Sequence, residues 1–569
     1  MSAQNEDELA AVETSIETTL QRLYQLRRHR NFLASTLLRL PTELVLKIFE
    51  CAIELSADGG GDRGGSDDDS DDEDDTDTDS DSDTDSDEHD SHHCRLEFGI
   101  KFRGDHRSSA SPKCGPTLLV LVAICHKLRQ IGITTPRLWN TVNLDIPSLA
   151  KIHLKWCNYD PHTLTQQSRR ARKRQSTEES RKALWKQLEG RSLNNLRSLV
   201  FKGGSSEFRC RFIPILQTAT NLSSLDLEST DFVGTELPWN SSSPFPHLST
   251  LRLYGFSISW TSPLLRNLTQ LTLDPRPFSP LIQHTPTETV LAALVNCPAL
   301  ESLQINRPEL DSPSARRDSC DLAVQLPKLQ FLCLGLQHSS TAGHILSRLK
   351  YPESAHVDVS VPTDSDHDIS GTISRILPPD NASALKNFQR SKTLTIYLDN
   401  NEYAFSTDKS TIRCRGRFID SSHAKMTRAA SKTLEVVGGE TVTYLSVRTW
   451  HVGLTGVMWE KLLQGLPQLE RISYRCHDED SDLDVTDPFI SAIYRLYQGK
   501  LICPRLQHLE LPEEVLDWES SAATLKHALM VRESLGARLK RLGLNDGTTE
   551  LGNRLMLQRF VEHVDGIVT

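Results

Sequence analysis

The sequence predicts an α/β chain: a helical N-terminal region followed by an irregular β/α solenoid. Three observations carry that expectation. From residue 193 onward the unit L-x-x-L-x-L returns repeatedly, often introduced by Pro-x-Leu. Between its copies lie segments of helical periodicity: Thr287–Leu294, whose threonine reads as a cap, Val457–Leu463 and Phe489–Leu496. Ahead of the repeats, apolar residues follow the 3,4 spacing of helices rather than the alternation of strands.

The repeat is legible copy by copy. It reads Leu196–Leu199–Phe201, Leu222–Leu225–Leu227, Leu248–Leu251–Leu253, Leu268–Leu271–Leu273, Leu300–Leu303–Ile305 and Leu329–Leu332–Leu334. It returns as Leu469–Ile472–Tyr474, Leu506–Leu509–Leu511 and Leu539–Leu542–Leu544. Central leucines from 199 to 332 are spaced 26, 26, 20, 32 and 29 residues apart, the irregular end of the leucine-rich-repeat range. Alternate residues of each short strand point inward, and a helix returns the chain to the next strand. Each unit therefore buries its leucines only by stacking on its neighbours. Residues 340–450 fit less well. Thr393–Leu398 and Thr443–Val447 read as strands, and Glu402–Ser406 with Ser410–Phe418 as extra alternating strands, predicting larger repeats with a protruding hairpin.

Residues 5–38 predict one long helix. Leu9, Val12, Ile16, Thr19, Leu23, Leu26, Arg30, Leu33 and Leu37 keep 3,4 spacing throughout. The pattern suits a coiled coil that dimerises the chain, but Thr19 and Arg30 are poor seam residues. An amphipathic helix folded back on the rest of the chain is the favoured expectation.

The stretch Leu37–Glu50 predicts a second helix, beginning at Pro41, whose fixed φ and missing N–H suit a first helical position. Glu43 places negative charge in the first turn, where the helix dipole favours it. Leu44, Ile48 and Ala52 form one apolar row, and Val45, Phe49 and Ile53 form another beside it. A short helix with two such rows is expected to bury one and to offer the other to a partner.

These residues carry a family resemblance. Leu40-Pro41-x-Glu43-Leu44-x-x-x-Ile48-Phe49 resembles the opening of an F-box. Ile124-Cys125-His126-Lys127-Leu128-Arg129, then Thr135-Pro136-Arg137-Leu138-Trp139, resembles its second half, with Leu128 where a tryptophan is common. The likeness covers roughly residues 37–56 and 117–144 and precedes leucine-rich repeats, an arrangement common in fungi, where similar helices also precede the F-box. It implies a substrate-recognition subunit of a Skp–cullin–F-box ubiquitin ligase, not an enzyme itself. The F-box would dock on the Skp adaptor, and through it on a cullin–RING ligase, by Leu40, Pro41, Glu43, Leu44, Ile48, Phe49, Leu138 and Trp139. The repeats would bind a target protein. The alternative is a repeat-protein scaffold whose degenerate F-box engages no adaptor.

The resulting map is an N-terminal helix (1–36), a motif region (37–144) interrupted at about 57–116, a basic connector (145–192) and the repeats (193–569). The interruption is glycine-rich and then acidic, without enough apolar surface to offset the entropy of ordering, so disorder is expected. Its Gly59-x-Gly61-x-x-Gly64 follows no strand and precedes aspartates that would repel a pyrophosphate. His89, His92, His93 and Cys94 have ligand chemistry but no structural zinc spacing. Ser70, Thr76, Ser80 and Ser82 precede acids and suit acidophilic kinases. The basic run Arg169-Arg170-Ala171-Arg172-Lys173-Arg174 reads as a nuclear import signal, a partner for the acidic segment or a solvated linker.

Composition narrows the function classes. Residues 66–90 hold 16 acids and no Lys or Arg, so the net charge of −11 becomes +5 outside that segment. A near-neutral body argues against nucleic-acid binding. The longest apolar run, Leu118–Cys125, is far short of a membrane span. The first residues, Met-Ser-Ala-Gln-Asn-Glu-Asp-Glu, lack a basic n-region and an apolar h-region, so a cytoplasmic or nuclear location is expected and the Asn-x-Ser/Thr triplets at Asn221, Asn267 and Asn381 read as chance. The 12 cysteines form no CxxC pair and read mostly as small buried residues. No Gly-x-Ser-x-Gly elbow, phosphate loop or His-Glu-x-x-His occurs, so no catalytic residue, metal or cofactor is expected.

Overall fold

The computed structural model describes residues 3–34, 40–48, short stretches between 130 and 167, and most of 193–566. The expected second motif half at Leu138 and Trp139, the histidine–cysteine cluster at 89–94, the acidic segment and the basic run lie outside the described residues, as does Phe49. The chain divides into two units, Met1–Pro161 and His162–Thr569.

In the first unit, helix α1 spans Ala3–Ala34. Among its described side chains, Val12 and residues 14–29 are all exposed. Helix α2 occupies 42–48, one residue later than the sequence predicts. Pro41 is its cap rather than its first residue: the Pro41 carbonyl accepts from the N–H groups of Leu44 and Val45, both at 3.1 Å. A short strand, β1, spans Thr141–Asn143 in this unit.

The second unit is mixed α/β around one large, mostly parallel sheet. Its strands are β2 (Thr163–Gln167), β3 (Ser198–Gly203), β4 (Ser224–Ser229), β5 (Thr250–Tyr254), β6 (Gln270–Asp274), β7 (Ser302–Asn306), β8 (Phe331–Gly335) and β9 (His356–Pro362). They continue as β10 (Thr393–Leu398), β11 (Glu402–Thr407), β12 (Ser410–Arg415), β13 (Tyr444–Thr449), β14 (Arg471–Cys476), β15 (His508–Pro512), β16 (Leu539–Asn545) and β17 (Val561–Gly566). From β2 to β9 each strand pairs in parallel with the next, and the same holds from β13 to β17.

The register explains the leucines. Leu199 stands opposite Leu225, then Leu251, Leu271, Leu303 and Leu332 in successive strands, and every one is buried. Leu445, Ile472, Leu509 and Leu542 make the same column on the C-terminal side. In seven of the nine copies the first leucine closes a tight turn before its strand. Leu196, Leu222, Leu248, Leu300, Leu329, Leu469 and Leu506 donate their N–H to the carbonyls of Leu193, Ala219, Phe245, Cys297, Leu326, Leu466 and Cys503 at 3.0–3.2 Å. All seven accepting residues are buried, an extra apolar position three residues ahead of the motif.

Helices α3 (Thr287–Val295), α4 (Ser339–Arg348), α5 (Ile369–Ile376), α6 (His423–Val437), α7 (Gly456–Gln464), α8 (Asp487–Tyr494) and α9 (Glu519–Ser534) form a layer in which each packs on the next. The cap expected at Thr287 is absent. Pro286 holds that position, no side chain caps the helix, and Thr287 is buried. Thr455 does cap α7, accepting from the Met458 N–H at 3.4 Å. Between sheet and helices, Trp459, Tyr474 and Phe489 make an aromatic cluster with ring centroids 4.5–5.3 Å apart.

Residues 393–415 depart from the parallel rule. The expected hairpin does not protrude. β10, β11 and β12 form an antiparallel meander set into the sheet in reverse order, with β12 parallel to β9 and β10 parallel to β13. Only β11 runs against the sheet. Its inward residues Tyr403 and Phe405 are fully buried, which explains why the segment joins the core.

Candidate functional site

Two surfaces concentrate chemistry that the fold alone does not need. The first is α2. The 3.6-residue period puts Val45 on a different face from Leu44 and Ile48. Val45 is fully buried, whereas Leu44 is 48% and Ile48 39% exposed. Of the other residues expected here, Leu40 is half-buried and Pro41 and Glu43 are exposed. The described part of the site is thus a one-turn apolar step, Leu44–Ile48, with Glu43 beside it. Both rows are apolar, so sequence alone could not tell which one faces inward.

The second surface is the face of the sheet opposite the leucines. Its residues are the middle letters of each L-x-L: Asp226, Arg252, Thr272, Gln304 and Cys333 follow in register, and Asp358 continues the row on β9. Sequence reasoning passed over them, although strand alternation places each one opposite its leucines. One turn of pleat further along, Lys202, Glu228, Tyr254, Asp274 and Asn306 form a second row.

Charges on this face are satisfied across strands. Lys202 Nζ lies 2.8 Å from Glu228 Oε2, Arg252 Nη1 4.0 Å from Asp226 Oδ2 and Arg413 Nη2 3.4 Å from Asp358 Oδ2. Asn306 Nδ2 donates to Asp274 Oδ2 at 3.3 Å. Burial raises the pKa of Asp358 above the usual carboxylate range, with Arg413 and His356 opposing it, and Asp358 Oδ1 has no hydrogen-bond partner. Burial likewise raises Glu402, opposed chiefly by Arg413. The Cys333 thiol is pushed up to about 12 by burial and by Asp358, so it is protonated at neutral pH and not an activated nucleophile. Further along, Arg471 pairs with Glu510 and lies over the Tyr444 ring at 5.1 Å. Arg448 and Arg475 sit side by side in register and are both exposed.

Asp358 sets an observable. Its folded pKa is raised, so its contribution to stability is fully present below the ordinary value of 3.8 and is lost as pH rises through the shifted value. Asp358→Asn is expected to flatten the part of the profile of Tm against pH that lies above the ordinary value of 3.8.

Among the described residues no group of three or more His, Cys, Asp and Glu could hold a metal ion, and no helix is long and apolar enough to cross a membrane. The described cysteines, Cys210, Cys297, Cys333, Cys414, Cys476 and Cys503, are free thiols, and Cys297, Cys414 and Cys503 are buried. No protein-family model matches the chain, and no curated protein matches it.

Proposed function

We propose that this chain is the substrate-recognition subunit of a Skp–cullin–F-box ubiquitin ligase, with α2 docking on the Skp adaptor and the sheet domain, an irregular leucine-rich-repeat solenoid, binding the target protein. The observation that carries the proposal is the split of α2. A helix bearing the F-box opening residues buries Val45 and leaves Leu44 and Ile48 outward, where a groove-forming partner would take them. The leucine columns and the in-register L-x-x-L-x-L strands support the repeat reading. The chain itself would perform no chemistry. It would hold a target beside a ubiquitin-charged enzyme, which raises the effective concentration of the reacting groups.

Capture by purified Skp adaptor tests this. The double substitution Leu44→Ala and Ile48→Ala is expected to weaken adaptor binding by about 2–4 kcal/mol, because helix-in-groove contacts concentrate their energy in a few apolar anchors. The sheet domain should keep its melting transition. A wild-type chain that captures no adaptor, or a folded double mutant that captures it equally well, replaces this reading with that of a non-ligase interaction scaffold.

A further inference from the structure

Among the described residues, helix α1 presents an exposed apolar stripe. Val12, Ile16, Leu23 and Leu26 are 56%, 54%, 43% and 61% exposed, and exposed Leu20 stands beside them. Written as heptads, Leu9, Ile16 and Leu23 take position a, and Val12, Thr19 and Leu26 take d. Val12, Ser15, Ile16 and Thr19 line a groove rimmed by Leu20. They occupy d, g, a and d, the four-residue hole that receives a knob from a facing helix. Thr19 is less of a flaw in this seam than its formula suggests. Its hydroxyl donates to the Ser15 carbonyl at 2.8 Å, so the polar atom is satisfied within the helix and the methyl group is left to pack.

Charge selects the occupant and its direction. Residues 6–17 contain Glu6, Asp7, Glu8, Glu13 and Glu17 and no Lys or Arg, whereas residues 22–30 contain Arg22, Arg27, Arg28 and Arg30 and no acid. The helix's own dipole favours this polarity only within the first and last turns, and Glu13, Glu17 and Arg22 are interior. In a parallel pair of such helices Glu8 would face Glu13 and Arg22 would face Arg27, both like-charged. A copy running the other way sets each acidic half against a basic half.

We propose that α1 is a homodimerisation helix that pairs antiparallel with α1 of a second copy over residues 5–30. In the register that fits, Leu9 packs against Leu26 of the second copy, Val12 against Leu23 and Ile16 against Thr19. The flanks then bring Glu6 beside Arg27 and Glu8 beside His29, with no like-charge contact. Arg30 falls at the end of the overlap, opposite Asn5, where its guanidinium reaches water. The proposal is independent of the adaptor reading, since it uses no residue of α2.

The test is sedimentation equilibrium of the full-length 63.9 kDa chain over a concentration series. The wild type is expected to sediment as a reversible dimer. Ile16→Asp with Leu23→Asp should give a monomer whose sheet domain melts unchanged. Arg27→Glu should raise the dimer dissociation constant about tenfold, since it turns two symmetric attractive contacts into repulsive ones. Glu6→Lys should act likewise, and the Glu6→Lys/Arg27→Glu double variant should recover wild-type affinity. In a parallel pair Arg27→Glu would instead relieve a repulsion and tighten association. A monomeric wild type, a dimer that survives the two aspartates, or tighter dimerisation of Arg27→Glu would each overturn the proposal.

Discussion

Arg532→Ala is expected to destabilise the second unit by about 3 kcal/mol or more. Arg532 projects from α9 and is completely buried. Its guanidinium donates to the Ile493 carbonyl at 3.0 Å and to the Cys503 and Leu506 carbonyls, both at 3.2 Å. The first acceptor lies in the last turn of α8, where carbonyls lack intrahelical donors. The other two bound the tight turn that launches β15. One side chain therefore satisfies carbonyls from two elements; its removal takes the guanidinium donors from the Ile493 and Leu506 carbonyls, at about 1–3 kcal/mol each before relaxation, while the Cys503 carbonyl keeps the Leu506 N–H at 3.2 Å. Two features temper the loss. Burial lowers the arginine pKa to about 10, so the buried charge already costs something, and Nε has no partner. Arg532→Lys separates the terms: an ammonium cannot span the fork of acceptors, so lysine should recover only part of the loss. Denaturant unfolding of the three proteins measures this, and equal stability of wild type and alanine variant would remove Arg532 from any structural role.

Leu303→Ala should cost about 2–5 kcal/mol, as buried leucine truncations do. Leu303 is fully buried and sits in register between Leu271 and Leu332. Because the sheet grows strand by strand, its damage should be regional. Protease should open the chain near β6–β8 while β13–β17 stay protected, and uniform sensitivity along the chain would contradict a strand-by-strand core.

How much of this was legible beforehand depends on the distance over which each feature is decided. The leucine columns were readable because period-2 alternation and unit spacing are written locally, and Leu199, Leu225 and Leu251 fell opposite one another as expected. Helix α3 was readable for the same reason, but its cap was not. Thr287 has cap chemistry, yet Pro286 already fixes the entry backbone, and the threonine goes inward. The polar row from Asp226 to Asp358 is written in the same letters as the leucines, but its residues differ in type from strand to strand, so no repeated chemistry marks it in the sequence. At α2 the sequence showed two apolar rows, and only packing decided that Val45 would be the inner one. The order of β10, β11 and β12 was out of reach, since all three alternate equally well and their neighbours are chosen by pairings about fifty residues away.

That meander has a consequence for how the chain folds. Elsewhere in the sheet, neighbours are supplied by the next strand of the chain, but Val357 must find Ser410 and Thr393 must find Tyr444, closures that skip over each other's strands. The β2–β9 and β13–β17 stacks can each grow by short steps, yet they join only when residues 393–415 are in place. The meander is thus the slow, high-contact-order step of an otherwise local assembly. Until it forms, β9, with Val357, Val359 and Val361, and β13, with Leu445 and Val447, are open apolar edges that invite strands from other chains. Aggregation during refolding should therefore trace to this one segment, and substitutions that weaken β11 should raise it more than equally destabilising changes at either end of the sheet.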